Sequence, residues 1–137
     1  MKKGILTAIA IIVLLIVLRP FVRDYIDIIN YNREIEDLQI ESPEISNIGD
    51  GEYQGQYKVY DIEAKVWVRM HAGEILSIDL EHEHERGYNA EEITGRVINE
   101  QSLEVDMVSG ATHSSKVILK AISRALCQSD EAVCEGQ

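Results

Sequence analysis

The sequence is short of basic residues and of cysteine. Of its 137 residues, 13 are Lys or Arg and 24 are Asp or Glu, which gives a formal net charge of -11. Nucleic-acid binding relies on contacts from Lys and Arg to phosphate, so this deficit argues against a nucleic-acid partner. It also argues against electrostatic adhesion to anionic lipid. The length leaves room for one small domain plus an anchor.

The two cysteines, Cys127 and Cys134, both lie near the C-terminus. They make a poor metal site because no cluster of ligand side chains surrounds them. In an oxidising compartment they would form a disulfide that pins the tail, and otherwise they are two thiols on a frayed end. The sequence leaves both alternatives open. His82 and His84 lie two positions apart on one predicted strand, and no third ligand is identifiable, so no metal site is predicted there.

An apolar run from Ile5 to Leu18 follows two lysines at the N-terminus. At about 1.5 Å per residue it covers some two-thirds of a hydrocarbon core of roughly 30 Å, and continuing it through Val22 lengthens it towards a full span. No convincing cleavage site follows, which favours an uncleaved signal anchor over a secretory signal peptide. Positive charges flank both ends of the run, so charge alone does not fix its orientation.

Composition divides the chain into four segments. We predict a transmembrane anchor over residues 1–22, a juxtamembrane helix or linker over 23–46, a folded domain over 47–128 and a tail over 129–137. Pro43 marks the break before the domain, because a residue that precedes proline disfavours the helical conformation.

The domain pattern predicts an α+β fold, a small antiparallel meander with two helices packed on it. Three segments in which apolar and polar residues alternate, joined by short glycine-containing turns, are predicted to be strands. The third strand places five side chains on one face: Leu76, Ile78, Leu80, His82 and His84. A helix is predicted from about Ala90 to Gln101, where Gly95 would allow close packing or approach to a ligand. A second amphipathic helix follows, with its apolar face formed by Val117, Ile118, Ala121, Ile122, Ala125 and Leu126.

The stretch from Asp106 to Ser115 is a polar loop of small residues that runs directly into this second helix. Thr112 and Ser114 are candidates for the helix N-cap, and Gly110 lets the backbone approach whatever the loop holds. A helix N-terminus offers free N–H groups and the positive end of a dipole, which suits a phosphate.

The string Asp-x-x-Ser-Gly-Ala-Thr, from Asp106 to Thr112, resembles the flavinylation motif of the FMN-binding domain family. That family includes the C subunit of the sodium-pumping NADH:quinone oxidoreductase, the G subunit of Rnf complexes and small membrane-anchored bacterial proteins. The resemblance covers roughly Gly49 to Cys127. It extends to Asp50-Gly51-Glu52-Tyr53-Gln54-Gly55, to the hairpin ending in Gly73-Glu74-Ile75, to His84-Glu85 and to Gln101-Ser102 before the motif.

The resemblance implies that Thr112 carries FMN through a phosphoester bond, installed by a dedicated flavin transferase. A threonine hydroxyl is a poor nucleophile at neutral pH, which fits modification by another enzyme. Asp106 is expected to serve recognition by the transferase or to hold the loop. The remaining residues predicted to bind the cofactor are Ser109, Gly110, Ala111, Ser114, Ser115, His84 and Glu85. His113 and the loop Arg86-Gly87-Tyr88 depart from the common family pattern.

The sequence shows no substrate pocket and no catalytic residues of its own, so we predict a redox carrier rather than a stand-alone enzyme. The anchored members of the family that the sequence resembles carry flavin on the outer face, so the resemblance favours a cytoplasmic N-terminus and an extracytoplasmic domain in the cell membrane. The expected partners are the flavin transferase and redox proteins in or outside the membrane. The alternatives are a carrier or sensor that binds FMN without a covalent bond, and a flavin-free envelope interaction module.

Overall fold

The computed structural model describes residues 2–83 and 89–128, and the chain divides into two units. The first unit is helix α1, Lys2–Glu36, and the second begins at Asp37. Helix α1 continues without interruption from the apolar run into the charged stretch that was predicted as a juxtamembrane helix or linker.

Helix α1 is apolar and long enough to cross a membrane. Its 35 residues extend over roughly 50 Å at 1.5 Å per residue, which exceeds a hydrocarbon core of roughly 30 Å. Large apolar side chains from Ile5 to Ile29 are exposed, between 40% and 71% of their surface. Pro20 lies inside α1, and the helix continues on both sides of it.

The second unit contains the predicted antiparallel meander. Strand β1, Gly51–Val59, pairs with β2, Ile62–His71, and β2 pairs with β3, Glu74–Glu83. The strict alternation of the β2 sequence matches its burial, since every second side chain from Ile62 to Met70 is buried. The fold-class prediction is therefore confirmed for the sheet.

The predicted apolar face of β3 is wrong at Leu76. The pairing register shifts between Arg69 and Met70, so that Met70 faces Ile75 while Arg69 faces Ser77. Leu76 is the extra residue in this β-bulge and is 54% exposed. A bulge shifts the alternation of buried and exposed side chains by one residue, and a simple count of every second residue cannot detect it.

The two predicted helices pack on one face of the sheet. Helix α2 is Glu92–Glu100 and helix α3 is Thr112–Cys127, while a 3-10 turn, Ile45–Asn47, precedes β1. Helix α3 lies across β1 and β2 and is buried on most of its circumference. Its buried residues are Ser114, Ser115, Val117, Ile118, Leu119, Ala121, Ile122, Ser123, Ala125 and Leu126.

Helix α3 approaches β1 most closely at Gly55. A Cβ atom added to Gly55 would lie 2.0 Å from the Ala121 carbonyl oxygen and 2.6 Å from the Ala125 nitrogen. Only a residue without a side chain allows this backbone-to-backbone contact. This contact explains why the motif from Asp50 to Gly55 ends in a glycine.

Two other motif residues hold the ends of elements together. The Asp50 carboxylate accepts a hydrogen bond from the Ala72 N–H at 2.7 Å and lies 2.7 Å from His71 Nδ1, which fixes the β2–β3 turn. These hydrogen bonds lower the pKa of Asp50. The Gln101 side chain accepts from the Ile75 N–H and donates to the Ile75 carbonyl oxygen, so it joins the end of α2 to the start of β3.

The segment that precedes the domain is strapped onto the outer side of α3. Lys120 pairs with the Glu41 carboxylate and donates to the Gln39 carbonyl oxygen at 2.7 Å. Ser123 donates to the Glu41 carbonyl oxygen at 2.7 Å. The strap covers this part of α3, where Ser123 is fully buried and Lys120 is half-buried.

The strap predicts an acid-sensitive contribution to stability. The hydrogen bond from Lys120 lowers the pKa of Glu41 below its ordinary value of 4.5. A depressed carboxyl pKa stabilises the fold above the unfolded value, and this contribution is lost as the pH falls through the folded pKa. We expect Glu41→Gln to lower the free energy of unfolding by about 1 kcal/mol at neutral pH, with the difference shrinking below pH 4.5.

Denaturant unfolding of the full-length protein in detergent, measured across pH, checks this expectation. Glu104→Gln is the matched control, because Glu104 is exposed and its carboxylate has no ion pair among the described residues. An unfolding difference for Glu41→Gln that stays constant from neutral to acid pH would contradict the assignment.

Candidate functional site

The predicted loop before α3 is built around a tight turn. The Ala111 N–H donates to the Val108 carbonyl oxygen at 3.0 Å, so residues 108–111 form a β-turn with Gly110 in its third position. Gly110 has φ +80°, which is the conformation that a type II turn requires there and that favours glycine. The turn reverses the chain immediately before the helix.

Ser115 closes the turn from inside the helix. Its hydroxyl oxygen accepts from the Val108 N–H at 3.3 Å, and its own N–H donates to the Ala111 carbonyl oxygen at 2.8 Å. Ser115 is fully buried. Both of its polar groups therefore hold the loop against the first turn of α3.

Helix α3 begins without a side-chain cap, and the prediction of Thr112 or Ser114 as N-cap is wrong. Ala111 occupies the N-cap position and Thr112 is the first helical residue, because the turn delivers the chain into the helix one residue early. Alanine has no side-chain oxygen to accept from the first N–H groups, and the first turn of α3 contains no acidic residue that would offset the positive end of the helix dipole.

The structure separates the predicted cofactor-binding residues into two groups. Asp106, Ser109, Gly110 and Thr112 are exposed along the outside of the loop. Ala111, Ser114 and Ser115 are buried behind it. Thus the loop presents the Thr112 hydroxyl group at the surface, while two of the three serines face the interior.

Two other predicted residues, His84 and Glu85, lie outside the described residues, as do Arg86, Gly87 and Tyr88. At the far end of α3, Cys127 is disulfide-bonded. The chain has one other cysteine, Cys134, which also lies outside the described residues.

The arrangement at Thr112 fits a phosphate group attached to that hydroxyl. The first N–H groups of a helix have no acceptor within the helix, and the dipole favours an anion there. A Cβ atom added at Gly110 would meet no atom within 4 Å beyond its two chain neighbours, so the outside of the turn is open. Donors, charge and space all match a phosphoester at this position.

One residue that the sequence reading missed is Arg96. Its Nη1 atom reaches from α2 to the loop and donates to the Asp106 carbonyl oxygen at 2.7 Å and to the Met107 carbonyl oxygen at 3.2 Å. Every residue has a main-chain carbonyl oxygen, so the sequence does not indicate which ones accept a hydrogen bond. The only available sign was the position of an arginine on the half-buried side of α2.

Gly95, next to Arg96, was expected to allow close packing or approach to a ligand. Close packing is wrong, because Gly95 is exposed and an added Cβ would meet nothing within 4 Å.

Comparison with known proteins adds an independent observation. A family model described as FMN-binding domain matches residues 28–127, which include the sheet, both packed helices and the loop before α3. No curated protein matches the chain.

Proposed function

The chain belongs to the FMN-binding domain family, with FMN as its cofactor, and on this premise we propose that it is a membrane-anchored extracytoplasmic electron carrier. In this proposal Thr112 carries the FMN covalently through a phosphoester bond. The proposed role is that of a redox carrier rather than of a stand-alone enzyme. Its proposed partners are a flavin transferase and redox proteins in or outside the membrane.

The observation that carries the proposal is the exposure of Thr112 at the uncapped N-terminus of α3. The chain contains two other threonines, Thr7 and Thr94. Thr7 lies within α1, and the Thr94 hydroxyl donates to the carbonyl oxygen of Glu91, the N-cap residue of α2, at 2.8 Å. Neither begins a helix that follows a glycine turn.

Attachment requires an activated donor and an external base. The Thr112 Oγ atom forms a bond to the FMN phosphorus, and the phosphoanhydride bond of a flavin dinucleotide breaks, releasing a nucleoside monophosphate. The hydroxyl proton passes to a base of the transferase, because a threonine hydroxyl needs such activation to act as a nucleophile. An exposed loop suits access by this second enzyme.

Bound FMN supplies the redox chemistry, and the protein supplies position and electrostatics. The free N–H groups at the start of α3 would hold the phosphate oxygens, and Ser109 would donate from the outside of the turn. The contacts of Ser115 with Val108 and Ala111 would keep this end of the helix fixed. We assign Ser114 and Ser115 to the support of the loop, because both are buried.

The anchor is proposed from α1. A helix of this length and apolar content would hold the domain at the cell membrane, with the N-terminus in the cytoplasm. A disulfide-bonded Cys127 supports the extracytoplasmic side, because disulfides persist in oxidising compartments.

The test is flavin detection after denaturation. The full-length protein is co-expressed with a flavin transferase, recovered from washed membranes and run on a denaturing gel. We expect a fluorescent band, and intact mass should show the addition of one FMN less one water, mapped to the peptide that contains Thr112.

The other outcomes identify the alternatives. Yellow protein that loses its colour on denaturation would support a non-covalent carrier or sensor. Protein that takes up no flavin at any stage would support the envelope interaction module instead. Recovery in the soluble fraction would remove the anchor from the proposal.

A further inference from the structure

We propose that Arg96 is a positioning residue for flavin attachment, holding the loop in the shape in which Thr112 is modified. The proposal rests on the function proposed above. It adds a residue on a different helix, ten positions before the motif begins, to the motif itself.

The hydrogen bonds of the loop carry the inference. The carbonyl oxygens of Val108 and Ala111 are engaged by the turn and by α3. The carbonyl oxygens of Asp106 and Met107 just before the turn are engaged by Arg96. Arg96 thus holds this stretch from outside the segment 106–115, from a different helix.

The location of the bonds makes them suited to control the loop. Val108 is buried and is followed by the exposed Ser109 and Gly110. The chain therefore leaves the core directly after Val108, one residue beyond the two carbonyl groups held by Arg96. Bonds from a charged donor are stronger than neutral ones, so this clamp fixes the direction in which the turn leaves the domain.

The charge of Arg96 suits the same site. Both described bonds use Nη1, and an arginine side chain has further N–H donors on Nε and Nη2. A guanidinium group close to the loop also offsets the negative charge that a flavin dinucleotide brings, in a chain with a net charge of -11.

The experiment measures the rate of FMN incorporation into purified full-length protein in detergent, by mass, with transferase and a flavin dinucleotide. We expect Arg96→Met to raise the KM for the acceptor protein by about tenfold, because fewer molecules present the loop in the reactive shape. The kcat should stay close to that of the unchanged protein, since Arg96 does not contact the reacting atoms. Arg96→Lys should restore part of the loss, because a lysine keeps the charge and one donor group.

Two controls separate positioning from general stability. Arg124→Met removes an exposed arginine that also donates to a main-chain oxygen, that of Gln56 at 3.2 Å, and it should leave the rate unchanged. Amide hydrogen exchange of the unmodified protein should be faster at Val108 and Ala111 in Arg96→Met, with no change at the core residues Val66 and Val68.

The outcomes distinguish this inference from the proposed function. If the unchanged protein acquires no covalent flavin, the proposed function fails. If it is modified and Arg96→Met is modified with the same KM, the positioning role is wrong while the function stands. Equal losses in Arg96→Met and Arg124→Met, or faster exchange throughout the core, would also overturn it.

Discussion

Thr112→Val is expected to give a protein that carries no covalent flavin under any expression condition. Valine matches threonine in shape but has no hydroxyl, so the bond to the FMN phosphorus cannot form. Thr112 is exposed, and its loss should leave the fold intact. On a denaturing gel we expect complete loss of the fluorescent band, with no change in the amount of protein.

Two variants sharpen this result. Thr94→Val removes the hydroxyl of a threonine on α2 and should keep full fluorescence. Thr112→Ser keeps a hydroxyl at the same position and should keep attachment, although at a lower rate. Fluorescence that persists in Thr112→Val after denaturation would show that another residue carries the flavin, and colour lost equally from both proteins on denaturation would favour non-covalent binding.

Gly55→Ala is expected to have the largest effect on stability. The new methyl group would lie 2.0 Å from the Ala121 carbonyl oxygen, and this neighbour is backbone that cannot rotate away. Helix α3 must then move off β1, which loosens the packing of its buried face against the sheet. We expect the free energy of unfolding to fall by about 3 kcal/mol or more, with a decrease in Tm of more than about 10 °C.

The matched control is Gly95→Ala on α2. Its new methyl group meets nothing within 4 Å, and alanine favours helix over glycine, so stability should rise by roughly 0.5–1 kcal/mol. Denaturant unfolding of unmodified full-length protein in detergent measures both variants. A loss below about 0.5 kcal/mol in Gly55→Ala would mean that α3 lies further from β1 than the structure places it.

Local patterns predicted the elements of this fold well. The alternation from Ile62 to Met70 specified a half-buried strand, and the spacing from Val117 to Leu126 specified a buried helix. In both patterns the side chains that recur at the period of the element face the same core, so a short stretch of sequence is enough to reveal them. The bulge at Leu76 escaped because it depends on the register with a second strand.

Contacts between residues far apart in the chain could not be predicted from the sequence. Lys120 and Glu41 are 79 residues apart, and nothing in either local pattern pairs them. Arg96 was equally hidden, because it binds carbonyl oxygens that every residue has. In the site itself, the motif indicated Thr112, whereas the burial of Ser114 and Ser115 became apparent only from the packing of α3.

The bare start of α3 has a consequence for the lifetime of the protein in the cell. A phosphate on Thr112 would supply the negative charge that Ala111 cannot, which is expected to add about 0.5–2 kcal/mol to the stability of the domain. The apoprotein is then the form that unfolds more often, and cellular proteases would remove it preferentially. Pulse-chase labelling with and without the transferase should show faster turnover of the apoprotein, so that supply of flavin governs how much of this protein accumulates.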